Sequence, residues 1–133
     1  MTLGAIAAGG HGTRMAPATS WVNKHLLPIG NGRLMIDCPL DTLRGMSFDQ
    51  ATIVTGCEHA GQVSEYVQDG HDWGFSRVNY EIQPKPAGIG DVVSRVSHLV
   101  GDGGMFLILG DNYFSVAPCL DLDVNMAMVW EYD

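Results

Sequence analysis

Five short apolar runs punctuate the chain: "LGAIAA" (3–8), "QATIVTG" (50–56), "RVNYEIQ" (77–83), "MFLILG" (105–110) and "NMAMVW" (125–130). The first, second and fourth are nearly continuous in hydrophobicity, which suits strands covered on both faces by helices. Helix-like segments lie between them, over 35–46, 58–70 and 90–103. In the third, Val92, Val93, Val96, Leu99 and Val100 recur at spacings of three and four and form one apolar stripe, with Gly101 where a helix C-cap belongs. In the second, Val63, Tyr66 and Val67 share a face and "DG" closes the segment. Alternating strands and helices predict a three-layer, doubly wound α/β domain of Rossmann-like type with a mainly parallel sheet. The run over 125–130 reads as a strand ending the chain, so a truncated fold is expected.

With 133 residues, one domain over 1–133 is expected, long enough for a real core. Seventeen glycines, about twice the usual share, imply many tight turns. A formal charge of -8 excludes the basic field that nucleic acids or anionic membranes require, although a single nucleotide needs only a local site. Cys38, Cys57 and Cys119 are odd in number and widely spaced, so buried free thiols in a reducing cytoplasm are expected rather than zinc or disulfides. "LGAIAA" has no basic leader and is too short for a signal core or a membrane span.

Two of the seven basic residues, Arg14 and Lys24, fall in "AAGGHGTRMAPATSWVNKHLLPIG" (7–30). After a strand, Gly9, Gly10 and Gly12 leave backbone N–H groups open to an anion, Thr13 adds a hydroxyl, Arg14 a planar fork and Lys24 a movable charge. A plain strand-to-loop turn with a surface arginine fits the glycines about as well. Met15 stands where GxGxxG needs glycine, which disfavours a Rossmann-type dehydrogenase, and the GK[ST] of a P-loop is missing. Asp111 follows the strand "MFLILG", at the edge where open α/β sheets bind ligands, and offers Mg2+ a hard oxygen; an aspartate in "GDN" is equally natural as a turn or N-cap. The five histidines lack metal-ligand spacing, although His11 and His25 can line the turn. Trp73 reads as a packing or interface aromatic.

The pattern "GGHGTRM-A-P-A-T-x4-K-x-LLPI" resembles the signature of sugar-1-phosphate nucleotidylyltransferases, most of all their glucose-1-phosphate thymidylyltransferase branch. "MIDCPLDTL", "QDGHDWGF", "QPKPAGIGD" and "LILGDNYF" extend the resemblance over about residues 3 to 115. It implies a nucleotidyltransferase fold and transfer of a nucleotidyl group from a nucleoside triphosphate, dTTP or UTP, to a sugar 1-phosphate, with pyrophosphate released. It also implies site roles. The backbone of Ala8, Gly9, Gly10, Gly12 and Thr13 holds the nucleotide, and Arg14 and Lys24 neutralise its phosphates. Gln83 reads the base edge, Gly88 lets the loop lie close to the base, and Asp111 binds Mg2+. Taken without the family, Gln83 reads as a solvent-facing strand end. Met15 and Ala7 stand where the family commonly has leucine. Asp91 stands where the branch tends to have glutamine, and an anion beside a triphosphate is unfavourable unless it faces away or meets a cation. The chain stops near the end of the family's first half, before its sugar-binding residues and second metal-binding aspartate. A nucleotide-binding module without turnover is therefore the alternative, and a homo-oligomer is compatible with either.

Overall fold

The computed structural model describes residues 2–119, so the strand expected over 125–130 lies outside the described residues. In chain order the regular elements are β1 (Leu3–Ala8), β2 (Pro28–Gly30), β3 (Arg33–Leu34), α1 (Asp37–Gly45), β4 (Gln50–Gly56), α2 (Ala60–Val67), β5 (Arg77–Gln83), α3 (Gly88–Val100) and β6 (Met105–Leu109). Among the described residues, four strands form one sheet in the order β5-β4-β1-β6, with every pairing parallel. The apolar runs are strands because they have helices on both sides. Ile6 sits in register between Ile53 and Ile108, and this face packs on Leu40 and Leu43 of α1 and Val63 and Val67 of α2. The opposite face, with Leu3, Ala5 and Val54, packs on Val92 and Val96 of α3. Three layers result, as the alternation predicted.

Several boundaries moved for local reasons. The α3 helix starts at Gly88 and stops at Val100, where Gly101 takes a φ of 59°. Its buried stripe is narrower than expected: Val92 and Val96 are buried, whereas Val93 and Leu99 are exposed. The four-residue spacing of Val92, Val96 and Val100 tracks one line along a helix, and the other two residues fall on its flanks. A 3-10 turn, Cys57–His59, precedes α2, and Gln68 ends the helix with a φ of 55°. The β2–β3 hairpin was not expected, although Asn31 and Gly32 at positive φ form the turn that an Asn-Gly pair favours. All three cysteines are free, but only Cys38 is buried; Cys57 and Cys119 are exposed, which corrects the expectation for two of the three. Their positions explain this, since Cys38 lies in α1 against the core while Cys57 starts an exposed turn.

The α3 packing makes a prediction. Val96→Ala should destabilise the protein by about 2 kcal/mol, because it removes buried methyl groups. Val93→Ala should cost well under half of that. Urea unfolding of the two variants measures both, and equal losses would contradict the packing described.

Candidate functional site

Parallel strands end along the same edge of their sheet, and the chain leaves that edge in loops that can meet one another. Gly9 and Gly10 follow β1, Gln83 closes β5 and Asp111 lies just beyond β6. An open cleft of about 300 Å³ forms there. Its polar wall is Gly9, Gly10, Lys24, His25, Gln83 and Asp111, and its apolar wall includes Pro86, Ile89, Val92 and Leu109, with Gly88 beside them.

The loop after β1 brings Lys24 back to this edge through three 3-10 turns: Thr13–Met15, Ala18–Ser20 and Lys24–Leu26. Gly12 has a φ of 64°, and a Cβ there would lie 2.9 Å from the Lys24 Cβ and 3.0 Å from the Thr19 Cγ2. Only glycine fits, so the turn and Lys24 pack as one unit. The Thr19 hydroxyl donates to the Gly12 carbonyl at 2.7 Å. Asn23 is a buried hub. Its Oδ1 accepts from the His25 backbone N–H at 2.9 Å and from the ring Nδ1 at 2.8 Å, while its own N–H donates to the Gln62 Oε1 at 2.9 Å.

Lys24 Nζ donates to the Asp111 Oδ2 at 2.7 Å. Burial opposes ionisation of Asp111, but the hydrogen bond and charge of Lys24, with a smaller contribution from His25, hold its carboxyl below the usual range. His25 is almost fully buried and its pKa is lowered to about 4, first by desolvation and then by Lys24, with Asp111 partly offsetting. It is therefore neutral near pH 7, and the bond to Asn23 assigns its proton to Nδ1.

Gln83 is 5% exposed. Its Nε2 donates to the Asp91 Oδ2 at 2.8 Å and to the Gly88 carbonyl at 3.3 Å. Its Oε1 lies against Gly9, only 2.6 Å from where a Cβ would stand, so a side chain at residue 9 would displace it. Asp91 also accepts from the Arg95 Nε at 2.7 Å. The acid that departs from the family pattern thus meets a cation. Bonds from Arg95 and then Gln83 hold its carboxyl below the ordinary range.

Of the residues expected to act together, Gly9, Gly10, Lys24, Gln83, Gly88 and Asp111 share the cleft. Gly12 packs behind Lys24. Ala8 is buried, and its carbonyl accepts from the Asn23 Nδ2 at 3.5 Å. Thr13 and Arg14 stand exposed in the first 3-10 turn, outside the cleft lining. His11 is exposed and pairs with Glu58 at 3.0 Å. Trp73 packs edge-on against Tyr66 and the core, as a packing aromatic would. Sequence reasoning singles out neither Asn23 nor Arg95, and it takes Asp91 only as a departure from the family pattern. An asparagine just before "KHL" is an N-cap signal, and Asp91–Arg95 is an i,i+4 charge pair.

Among the described residues, no three His, Cys, Asp or Glu side chains cluster as a metal site. Among the described residues, Asp111 is the one carboxylate in the cleft lining. That donor set fits Mg2+ in its usual mode, with one carboxylate and the remaining positions filled by phosphate oxygens and water.

The family model described as "Nucleotidyl transferase" matches residues 3–122. A glucose-1-phosphate thymidylyltransferase of Neisseria gonorrhoeae is 37% identical over 111 residues, covering 84% of this chain and 38% of the relative. The Actinoplanes sp. enzyme of the same name is 33% identical over 120 residues, covering 88% and 39%. A Bacillus anthracis crystal structure assigned as a glucose-1-phosphate thymidylyltransferase, in complex with a sucrose, superposes with a TM-score of 0.83. It is 37% identical and covers 88% of this chain and 47% of that one. A UDP-glucose pyrophosphorylase complexed with UDP-glucose shares the fold, with a TM-score of 0.68 at 20% identity. The chain thus spans about two-fifths of the length of the curated relatives it matches.

The buried, neutral His25 makes stability depend on pH. The folded pKa of about 4 lies below the ordinary 6.5, so the unfolded chain takes up the proton first as pH falls. Stability is lost between about pH 6.5 and pH 4 and the loss then levels off. A non-titrating His25→Gln variant should show less of this loss, the difference reaching up to about 3 kcal/mol. Urea unfolding of both proteins across that range measures it; parallel profiles would contradict the assignment.

Proposed function

The chain belongs to the nucleotidyl transferase family, and from that premise we propose that the protein joins a nucleoside triphosphate, dTTP or UTP, to a sugar 1-phosphate. Pyrophosphate leaves and an NDP-sugar forms. One observation carries the reading: a glycine turn, a lysine, an amide and a carboxylate from four separate chain segments line one cleft. Thymidylyltransferase relatives at 33–37% identity support the same assignment.

The reaction is an in-line displacement. An oxygen of the sugar phosphate forms a bond to the α-phosphorus, the bond from that phosphorus to the bridging oxygen breaks, and the electron pair leaves with pyrophosphate. Little proton transfer is needed, so positioning and charge neutralisation dominate. We assign the Gly9 and Gly10 backbone to the phosphates, with Ala8, Gly12 and Thr13 shaping the turn. Lys24 neutralises the reacting phosphates, and Arg14 reaches the triphosphate only if its exposed turn folds toward the cleft. Gln83 and Gly88 receive the base, with Ile89 as an apolar neighbour. Asp111 would hold Mg2+, which supplies charge stabilisation on the phosphate oxygens. Binding requires Lys24 to exchange its bond with Asp111 for one with phosphate.

A second reading, a nucleotide-binding module without turnover, is favoured by the single carboxylate that the described residues place in the cleft lining. With dTTP, Mg2+ and glucose 1-phosphate, the enzyme reading expects pyrophosphate release; thermal stabilisation by dTTP without release under any sugar phosphate leaves the module.

Asp111→Asn should remove the Mg2+-dependent part of the dTTP-induced rise in melting temperature while leaving the unliganded protein folded. Pyrophosphate release should fall by about 100-fold or more. An unchanged Mg2+-dependent shift would take Asp111 out of the metal site.

A further inference from the structure

His25 is 1% exposed, yet it lines the cleft. Its backbone is fixed on both sides: the N–H donates to the Asn23 Oδ1 at 2.9 Å, and the carbonyl accepts from the Ile36 N–H at 2.8 Å. The ring is fixed as well, because Nδ1 donates to the same Asn23 Oδ1 at 2.8 Å. Gln62 braces this turn from α2, accepting from the Asn23 N–H and donating to the Trp21 carbonyl at 2.7 Å. With the proton on Nδ1, Nε2 carries a lone pair. No donor among the described residues meets it. It is nonetheless not sealed from water, since among them the buried side-chain polar atom without a partner is the Thr52 Oγ1. The slight exposure that His25 keeps therefore includes Nε2.

The end of β6 lies next to that nitrogen. A Cβ on Gly110 would stand 2.5 Å from the ring Cδ2 and 2.8 Å from Nε2, so the ring edge carrying Nε2 rests on the residue just before Asp111. Gly110 is itself pinned, its N–H donating to the Ala7 carbonyl at 2.9 Å. Histidines that bind metals almost always have the other ring N–H held by an oxygen, which fixes the tautomer and the aim of the ring. Asn23 supplies that hold here. Resting on the nucleotide reading above, we propose that the His25 Nε2 is a second protein ligand, beside Asp111, for the divalent cation that accompanies the triphosphate. Two protein donors do not make a cage, in keeping with the lack of a three-residue cluster among the described residues. With Lys24 also bonded to Asp111, the pair holds a cation only together with the charge of the phosphates. The nitrogen also sets a preference, because Co2+ gains from an imidazole ligand and Mg2+ scarcely does.

Pulsed EPR of Mn2+ bound with dTTP tests this on the wild type, using protein whose histidines carry the heavy nitrogen isotope, so that no substitution is needed. The hyperfine pattern of a directly bonded nitrogen should appear, and it should change with the label. It should persist in His11→Gln, which alters an exposed histidine of the glycine turn, and vanish in His25→Gln. By calorimetry, His25→Gln should weaken Co2+ binding to the dTTP complex by about 10-fold or more, and Mg2+ binding by much less. A merely structural role would weaken both metals equally. Wild-type protein that holds Mn2+ and dTTP without a histidine nitrogen coupling overturns the proposal, even where His25→Gln fails to fold, and leaves the nucleotide site standing. A coupling that survives in folded His25→Gln, or is lost in His11→Gln, overturns it equally. Failure of the wild type to bind dTTP with any of these metals would instead overturn the underlying reading, and this proposal with it.

Discussion

Parallel pairing of β1 with β6 is the constraint on which the site depends. It sets the glycine turn after one strand beside Asp111 after the other, and lets Lys24 contact a residue 87 positions away at 2.7 Å. The ion pair itself adds little stability, because both side chains are partly exposed and solvent screens them. Its consequence is positional. A cation and a carboxylate are held at the same mouth, each neutralising the other. Were β6 elsewhere in the sheet, the same residues would be two unrelated surface charges.

Two ion pairs stand at this edge. Lys24 meets Asp111, and Asp91 meets Arg95, while His25 stays neutral through burial. In a chain with a formal charge of -8, Lys24 and Asp111 of the cleft lining thus offset one another. Specificity in such a place rests on short-range geometry rather than on long-range steering. Glycine supplies part of that geometry: a Cβ at Gly12 would push Lys24 out, and one at Gly9 would displace the Gln83 carbonyl.

The strands were legible because burial on both faces demands continuous apolar sequence, and β1, β4 and β6 have it. The β2–β3 hairpin was not, being very short, with Pro28, Ile29 and Gly30 all exposed and so without an apolar pattern to read. The α3 stripe was visible but too wide, since sequence spacing alone does not say how much of a helix its sheet covers. Gly9, Gly10, Lys24 and Asp111 were recognisable as candidates from residue type and placement. Gln83 emerged only through the family pattern, because a glutamine at a strand end carries no chemistry that its neighbours in sequence reveal.

The sequence by itself determined the alternation of strands and helices, the glycine turn and the identities of the groups offered to a ligand, since these follow from local periodicity and residue chemistry. Tertiary structure alone decided that Lys24 would meet Asp111, that Asp91 would hold the Gln83 amide and be balanced by Arg95, and that Thr13 and Arg14 would stand outside the cleft lining. Strand order and loop path set those distances, and neither is encoded in the spacing of any short stretch of chain.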